Sequence, residues 1–550
     1  MSANIKASTD GTQAIIGVGG VDQMTVSNAG VVTANSFVGN VTGGTISGNA
    51  SSATALATGS TTARTLANRF ADVVNVKDFG AVGNNVADDT AAIQAAINTT
   101  KMVYIPNGTY KVTSTLKIFS GSGIFGESLN AKLERHFVGG ALIEIDGYPT
   151  FTPITLTNFA IRTKIGLEPS LTSIDTGINC ISIFLNSLFS NIQIFSQWHG
   201  FKWTGGQYFN VEKIWVEYCL GDGFHGINPR GNFADCFAQN CEGNGYFLTQ
   251  IAGGETGVVL TKCSTFSNKN HGFKLTAPTI PFGANIFLIN CGSSFDNLGA
   301  VFASNFIQLY FYSFWAEYTG YATDFHPDWP SYPNASAFWL ENVRESQFIG
   351  ITSALNCKGS GMIIANDCDS IAIQNLYVYN NGRGQAGAFY QNGLSIGTNC
   401  YNIIVNSFTN GTGFGPYQLN DIAINSSNVS GVFNTVKAKN IYSVNQNTVN
   451  FLTQPVGIDI PTIPTSSIPT LPEWSNLINI SGTSAIFAFT IARKGRIVTL
   501  KMLNDGINLF TGNNLLLAGG FAGTTNDTIT LASDGSNWYE VARSLNQTIP

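Results

Sequence analysis

The chain has 550 residues, of which 11% are charged and 12% aromatic, with 59 glycines and a formal net charge of −6. That acidity argues against a general nucleic-acid or anionic-membrane binder, and no apolar run reaches the roughly 18 residues a bilayer crossing needs. Many glycines together with many large rings fit a β-rich protein of tight turns and stacked side chains.

The opening MSANIKASTDGTQ has no apolar signal core, so the expectation is synthesis in a cytoplasm without export through a cleaved leader. Residues 1–65 are rich in Gly, Ser, Thr, Ala and Asn, with short alternating pieces such as Val31–Val38 and no evident core of their own. Such a segment becomes ordered when several chains wrap around one axis.

Val74–Ile118 carries the strongest pattern: VNVKDFGAVGNNVADDTAAIQAAINTTKMVYIPNGTYKVTSTLKI. It reads as a strand, a Gly-containing turn, a short helix, a strand ending at Pro-Asn-Gly, and a further strand. Asp88 and Asp89 are suitable N-caps, and Ile93, Ala96 and Ile97 share one apolar face. Beyond Ile118 the helical pattern all but disappears, as expected where one helix covers the open end of a solenoid. The run DFGAVG…DDTAAIQAAI…VYIPNGTY resembles the entry of the pectate-lyase-like right-handed β-helix found in bacteriophage tailspikes.

From residue 66 to 455 the chain repeats. HGFKW, DGFHG, NGYFL and HGFKL recur, and Gly200, Gly223, Gly245, Gly272 and Gly299 are 23, 22, 27 and 27 residues apart. Periods of about 20–50 residues mark solenoids, whose turns bury their faces against one another. Cys219, Cys241, Cys263 and Cys291 follow a similar beat, which predicts one inward stack. The nine cysteines have no metal-like pairing with His and read as small core side chains. Between Gln454 and Trp474 lie Pro455, Pro461, Pro464, Pro469 and Pro472, the composition of a semi-rigid linker. Beyond it come the alternating pieces AIFAFTIA, RIVTLKML, NNLLLAGG, DTITLAS and SNWYEVARS, with turn chemistry at Asp534-Gly535 and Asn537.

The expected fold is therefore all-β: a right-handed parallel β-helix over 66–455, a short N-terminal capping helix, and a β-sandwich-like domain over 456–550. Such a chain would leave large apolar surfaces uncovered unless it forms a homotrimer.

Chemistry has two candidate places. Phe314-Trp315-Ala316-Glu317 is echoed 24 residues later by Phe338-Trp339-Leu340-Glu341. Strand alternation turns Phe314, Ala316, Phe338 and Leu340 inward, and Trp315, Glu317, Trp339 and Glu341 outward. One solenoid turn apart, the two carboxylates would repel, raising the pKa of one, as glycoside hydrolysis requires of its acid. Asp324, His326, Asp328 and Trp329, in YATDFHPDWPSYP between them, would form a groove wall. Glu317, Glu341, Asp324 and Asp328 are the catalytic candidates; Trp315, Trp339, Trp329, His326, Trp215 and Glu217 are the sugar-contacting ones. The second place gathers Trp215, Glu217, Tyr218, Asp222, His225 and Arg230, with Asp235 and Glu242 one turn on. Its mix suits a lyase, where a base removes the C5 proton and a cation neutralises a uronate. His199 and His271, each just before a Gly-Phe, read as structural. No metal or cofactor is expected.

The resemblance implies a virion protein of the phage tail, made in the host cytoplasm, that recognises and depolymerises a bacterial surface polysaccharide such as capsule or O-antigen. Residues 1–65 would attach to a tail baseplate or adaptor protein, and the C-terminal domain over 456–550 would trimerise the chain, with glycan binding as a second role. Hydrolysis is the first expectation; lyase chemistry and non-catalytic receptor binding are the alternatives. No nucleic acid partner and no membrane insertion are expected.

Overall fold

The computed structural model describes strands between residues 3 and 34 and most of residues 54–545. The longer stretches outside the description are 8–12, 35–53, 147–151, 252–256, 279–284, 321–334, 383–391, 411–419, 444–448, 452–461 and 546–550. Two compact units result, Met1–Ala71 and Asp72–Pro550. In the first, Ala3–Ala7, Gln13–Val18, Val21–Ser27 and Val32–Ala34 form a four-stranded antiparallel sheet. Of the strand expected over Val31–Val38, residues 31 and 35–38 lie outside the described residues. The helix Leu66–Phe70 comes next, its cap Thr65 accepting a hydrogen bond from the Asn68 N–H.

In the second unit the helix Thr90–Ile97 buries Ile93, Ala96 and Ile97, the face the sequence marked out. The two aspartates divide their work. Asp88 Oδ1 accepts from the Thr90 N–H and hydroxyl, at 3.1 and 2.6 Å. Asp89 makes no cap bond; its carboxylate instead ties down the preceding turn by accepting from Val82 N and Gly83 N.

Past this helix the chain winds into a parallel β-helix. Among the described residues its strands, with Val74–Asn75 and Asn84–Asp88 from before the helix, stack into a broad sheet of 23 strands and a narrow sheet of 13. Each turn crosses the broad sheet either as one bent strand, such as Asn210–Glu217, or as two short ones, such as Arg230–Ala234 and Phe237–Gln239. The bend is a residue in the left-handed region, repeated turn after turn: Asn191, Lys213, Asp235, Lys262, Asn290 and Ser313 have φ between 50° and 54°. The chain then turns through a second left-handed residue (Ser196, Tyr218, Asn240, Ser267, Phe295 or Tyr318) into the narrow sheet. Asn tolerates this conformation best; elsewhere the stacked neighbours impose it.

Inside, like lies on like. Phe201, Phe224, Tyr246 and Phe273 are in register on successive strands of the narrow sheet. Phe224 and Tyr246 stack at 4.5 Å, and Tyr246 and Phe273 at 4.9 Å. The glycine before each ring has a steric cause: a Cβ on Gly223 would come within 2.8 Å of Ala238 Cβ and the Gly245 carbonyl. Gly299 does not continue this column. It pairs with His271, and Ala300 takes the place the spacing had assigned to it. All nine cysteines are buried and free. Cys219 and Cys241 lie in one inward column and Cys236, Cys263 and Cys291 in another, because the first two follow the broad-sheet crossing whereas the other three sit at its bend.

The stretch expected as a linker contributes a strand, Thr462–Pro464, which pairs in parallel with Leu477–Ser481. Six strands form the main C-terminal sheet, and Ile507–Leu509 pairs with Phe521–Gly523 beside it. AIFAFTIA is not a strand where it is described; it makes a single bridge, Ile486 to Leu509. Leu471, Ile478, Leu500, Leu531 and Trp538 belong to a core separate from that of the solenoid. Asp534 makes the expected turn by accepting from Ser536 N and Asn537 N.

Two stability measurements test this packing. Phe224→Ala should destabilise the solenoid by about 3–5 kcal/mol, since a fully buried stacked ring leaves a cavity, and denaturant unfolding reads it. Asp296 is buried; this pushes its carboxyl up to about 6 despite hydrogen bonds from Ser293, Thr265 and Asn268. An acid with a raised folded pKa gives its full stability below its ordinary value of 3.8 and loses it as pH rises through the folded value. Relative to the native chain, Asp296→Asn should therefore gain about 2 kcal/mol between pH 4 and pH 7. A difference that stays constant over that range would mean the carboxyl titrates normally.

Candidate active site

The Trp-Glu repeat does not stack. Trp315–Glu317 belongs to the broad sheet, between Gly292–Ser294 and Ser353–Leu355. Ser336–Glu341 belongs to the narrow sheet, between Gly299–Ser304 and Met362–Asn366. The spacing of 24 residues is shorter than the full turn at that point, where 37 residues separate Ser304 from Glu341. The second copy therefore falls on another face, and the carboxylate pair expected from Glu317 and Glu341 is not assembled. The alternation itself holds: Phe314, Ala316, Phe338 and Leu340 are buried, and the Trp and Glu side chains are half-buried. Glu317 accepts from Ser294 Oγ at 2.8 Å, and the Trp315 indole lies against Gly292, where a Cβ would collide with it. Asp324, His326, Asp328 and Trp329 lie outside the described residues.

Trp215 and Glu217 share columns of the broad sheet with Trp315 and Glu317, four turns earlier. Glu217 Oε1 accepts from Gln239 Nε2 at 2.6 Å. Of the rest of the second candidate place, Asp235 is a bend residue and Glu242 pairs with Lys269 at 2.9 Å.

Asp222 and His225 do come together, and they gather His199, which reads as purely structural from its place in the sequence. All three sit where the chain enters the narrow sheet. His199, Asp222, Asn244 and His271 each precede the Gly-Phe or Gly-Tyr of successive turns, and a ladder joins them. Asp222 N–H donates to His199 Nδ1 (3.0 Å), Asn244 N–H to Asp222 Oδ1 (2.8 Å), and His271 N–H to Asn244 Oδ1 (3.2 Å). On this scaffold the other oxygen of Asp222 meets His225 Nδ1 at 2.7 Å. The two imidazole centroids are 4.4 Å apart. Lys202 lies directly before His225 in the sheet register.

Burial opposes ionisation of Asp222, but hydrogen bonds from His225 and Asn244 and the nearby imidazoles outweigh it, holding the carboxyl below its usual range. An ionised carboxylate only accepts, so His225 carries its proton on Nδ1 and presents a lone pair at Nε2. His199 is the converse. Its Nδ1 accepts from a backbone N–H, so the proton sits on Nε2, and burial together with His225 lowers its pKa to about 4. The two rings thus carry a lone pair at His225 Nε2 and an N–H at His199 Nε2, with Lys202 on the rung before His225. The three side chains bring ligand atoms within 4.8 Å of one another, as a metal site would. The bonds described occupy both Nδ1 atoms, one as acceptor and one as donor, so the set fits proton transfer better than metal ligation.

Aligning the Gly-Phe motifs of adjacent turns would have revealed this cluster, because His199 then falls beside Asp222 and Lys202 beside His225.

Among the described residues no helix is long and apolar enough to cross a membrane. Residues 73–300 match the family described as rhamnogalacturonase A/epimerase, pectate lyase-like, a span that includes the His199–Asp222–His225 cluster. Mannuronan C5-epimerase AlgE1 of Azotobacter vinelandii is 26% identical over 241 residues, 41% of this chain and 16% of that protein. The chain thus spans less than a fifth of that relative's length. The tailspike gp42 of Acinetobacter phage vb_AbaP_AS12 superposes with a TM-score of 0.50 at 11% identity, over 87% of this chain and 83% of the other. Tailspike protein 3 of bacteriophage CBA120 gives 0.50 at 13% identity, over 74% and 65%. The solenoid is a pectate-lyase-like parallel β-helix, and its fold is the one that phage tailspikes share.

Proposed function

We propose that the chain is a phage tailspike that binds a uronate-containing bacterial surface polysaccharide and cleaves it by β-elimination at His225. The observation that carries this reading is the Asp222–His225 pair beside His199 and Lys202. His225 Nε2 takes the C5 proton of a uronate sugar, and the Lys202 ammonium stabilises the negative charge that develops on the carboxylate. The C4–oxygen bond then breaks, with the electron pair leaving on oxygen and the C4–C5 double bond forming. In this reading His199 Nε2–H protonates the departing oxygen. Asp222 holds His225 in its working tautomer.

Glycoside hydrolysis, the first expectation, calls for two carboxylates flanking the bond. In this cluster the carboxylate is Asp222, and both its oxygens already hold partners. A relative named for epimerisation at C5 of mannuronan supports the elimination reading, because epimerisation begins with loss of the same proton. Trp339, on the sheet that carries His225, is a sugar-stacking surface in this reading. Trp215, Glu217, Trp315 and Glu317, on the broad sheet, are at most glycan contacts remote from bond breaking.

The reading extends to a homotrimer on the virion tail, assembled in the host cytoplasm and held to a baseplate or adaptor through residues 1–65. Exposed Ile497, Tyr539 and Val541 on the C-terminal sheet, with the exposed stacked rings of Phe487 and Phe510 at 5.2 Å, fit contact between copies.

Elimination products carry a C4–C5 double bond that absorbs in the ultraviolet. His225→Gln should reduce the rise in absorbance by about 10²–10⁴-fold while leaving the melting curve in place. Glu317→Gln and Glu341→Gln should retain turnover. Saturated products, or loss of activity in the glutamate variants with His225→Gln still active, would return the reaction to hydrolysis. Intact polysaccharide retained on the protein without any product would leave a receptor-binding fibre.

A further inference from the structure

The outward column that contains His225 continues along the narrow sheet. In strict register it reads Lys202, His225, Phe247, Lys274, Phe302, Trp339. The residues one place before them (Phe201, Phe224, Tyr246, Phe273, Val301 and Phe338) are core, so this column faces out. Lys274 is framed by rings on both sides: its Nζ lies 5.6 Å from the Phe247 centroid and 5.9 Å from that of Phe302. Among the described residues no carboxylate pairs with it. Next along the column, His271, Leu298, Phe302 and Trp339 line a cavity of about 240 Å³. The His271 Nδ1 at its wall is shielded from solvent and has no hydrogen-bond partner among the described residues.

A half-buried ammonium between aromatic faces, with no carboxylate partner among the described residues, is a ready site for an anionic group. It lies three rungs, or about 14 Å, from Lys202. An extended glycan advances by about one sugar per rung, so a chain lying along this column with one acidic sugar at Lys202 would bring its third successor to Lys274. Of the two intervening positions one is His225 and the other faces Phe247, and the following positions face Phe302 and Trp339. A carboxylate held over a ring meets the negative face of the π-system and loses water without gaining a partner, whereas a neutral sugar packs its C–H face there.

We infer that Lys274 is a second carboxylate subsite and that the substrate is an acidic heteropolysaccharide, its charged sugars separated by neutral ones, rather than a homopolymer of uronates. This deepens the elimination reading and rests on it for the direction of the bound chain.

The test uses the full chain carrying His225→Gln, so that binding is read without turnover. It is titrated against purified bacterial capsular polysaccharides of known repeat, together with polygalacturonate and polymannuronate, at fixed ionic strength. Acidic heteropolymers should bind more tightly than either homopolymer. Lys274→Gln should weaken that binding about tenfold and flatten its salt dependence, Lys274→Arg should restore most of it, and polymer with its carboxyls reduced should bind both forms alike. Equal or tighter binding of the homopolymers, or an unchanged affinity in Lys274→Gln with its melting curve intact, overturns the inference. The two readings fail separately. Binding that depends on Lys274 in a native chain releasing no unsaturated product removes the elimination and keeps the subsite. Unsaturated product whose formation ignores Lys274→Gln does the reverse.

Discussion

Everything in the solenoid depends on register between consecutive turns. In the narrow sheet that register is set where a glycine lets one turn's backbone rest against the next, with a large ring locked directly after it. Gly223 has no room for a Cβ, and Phe224 has Phe201 on one side and Tyr246 on the other. Sliding one turn by a single residue would send these rings into water and bring Lys202 or His225 inside. The penalty is large enough to hold a single alignment over many turns. The polar residues just before the glycine and just after the ring then become neighbours whether or not they are close in sequence.

The fold was legible for this reason. Helix, turn and strand in Val74–Ile118 are local, and the Gly-Phe period announces stacking without any knowledge of long-range contacts. The site was less legible because a period measures an average turn, whereas contacts depend on each individual turn. Between Gly299 and Ser336 the turn runs long, so a 24-residue echo that resembled one rung joined two different sheets. The same cause split the cysteines into two columns and displaced Gly299. Lys202 and His225, by contrast, occupy equivalent places in turns of ordinary length, and counting outward from the shared Gly-Phe brings them together. Asp324 to Trp329 fall in the insertion that lengthens the turn, where repeat counting has nothing to align.

Asp222 shows how a structural duty and, in the proposed reaction, a chemical one come to share a residue. One oxygen accepts from the Asn244 backbone N–H (2.8 Å) and side-chain amide (2.7 Å), as the next member of the inter-turn ladder. The other oxygen orients His225. A buried carboxylate is costly unless fully hydrogen-bonded, and here the ladder that ties the turns also keeps it ionised. Reading His199 as structural is therefore sound as far as its Nδ1 goes; its opposite edge is what remains for chemistry.

A rigid wall of this kind brings a restriction along with its benefit. The side chains of a β-helix stand at fixed intervals close to the rise of a sugar chain, so a glycan laid along the axis meets the same kind of subsite at every rung unless the column changes character. In the narrow sheet it does change: cation, imidazole, ring, cation, ring, ring. In the proposed reading each rung answers a different sugar, and the order cannot be rearranged by a loop movement because every position is fixed by the core residue before it. On that proposal selectivity is written along the column by single substitutions that leave the core untouched, whereas His225 stays where the Asp222 ladder holds it.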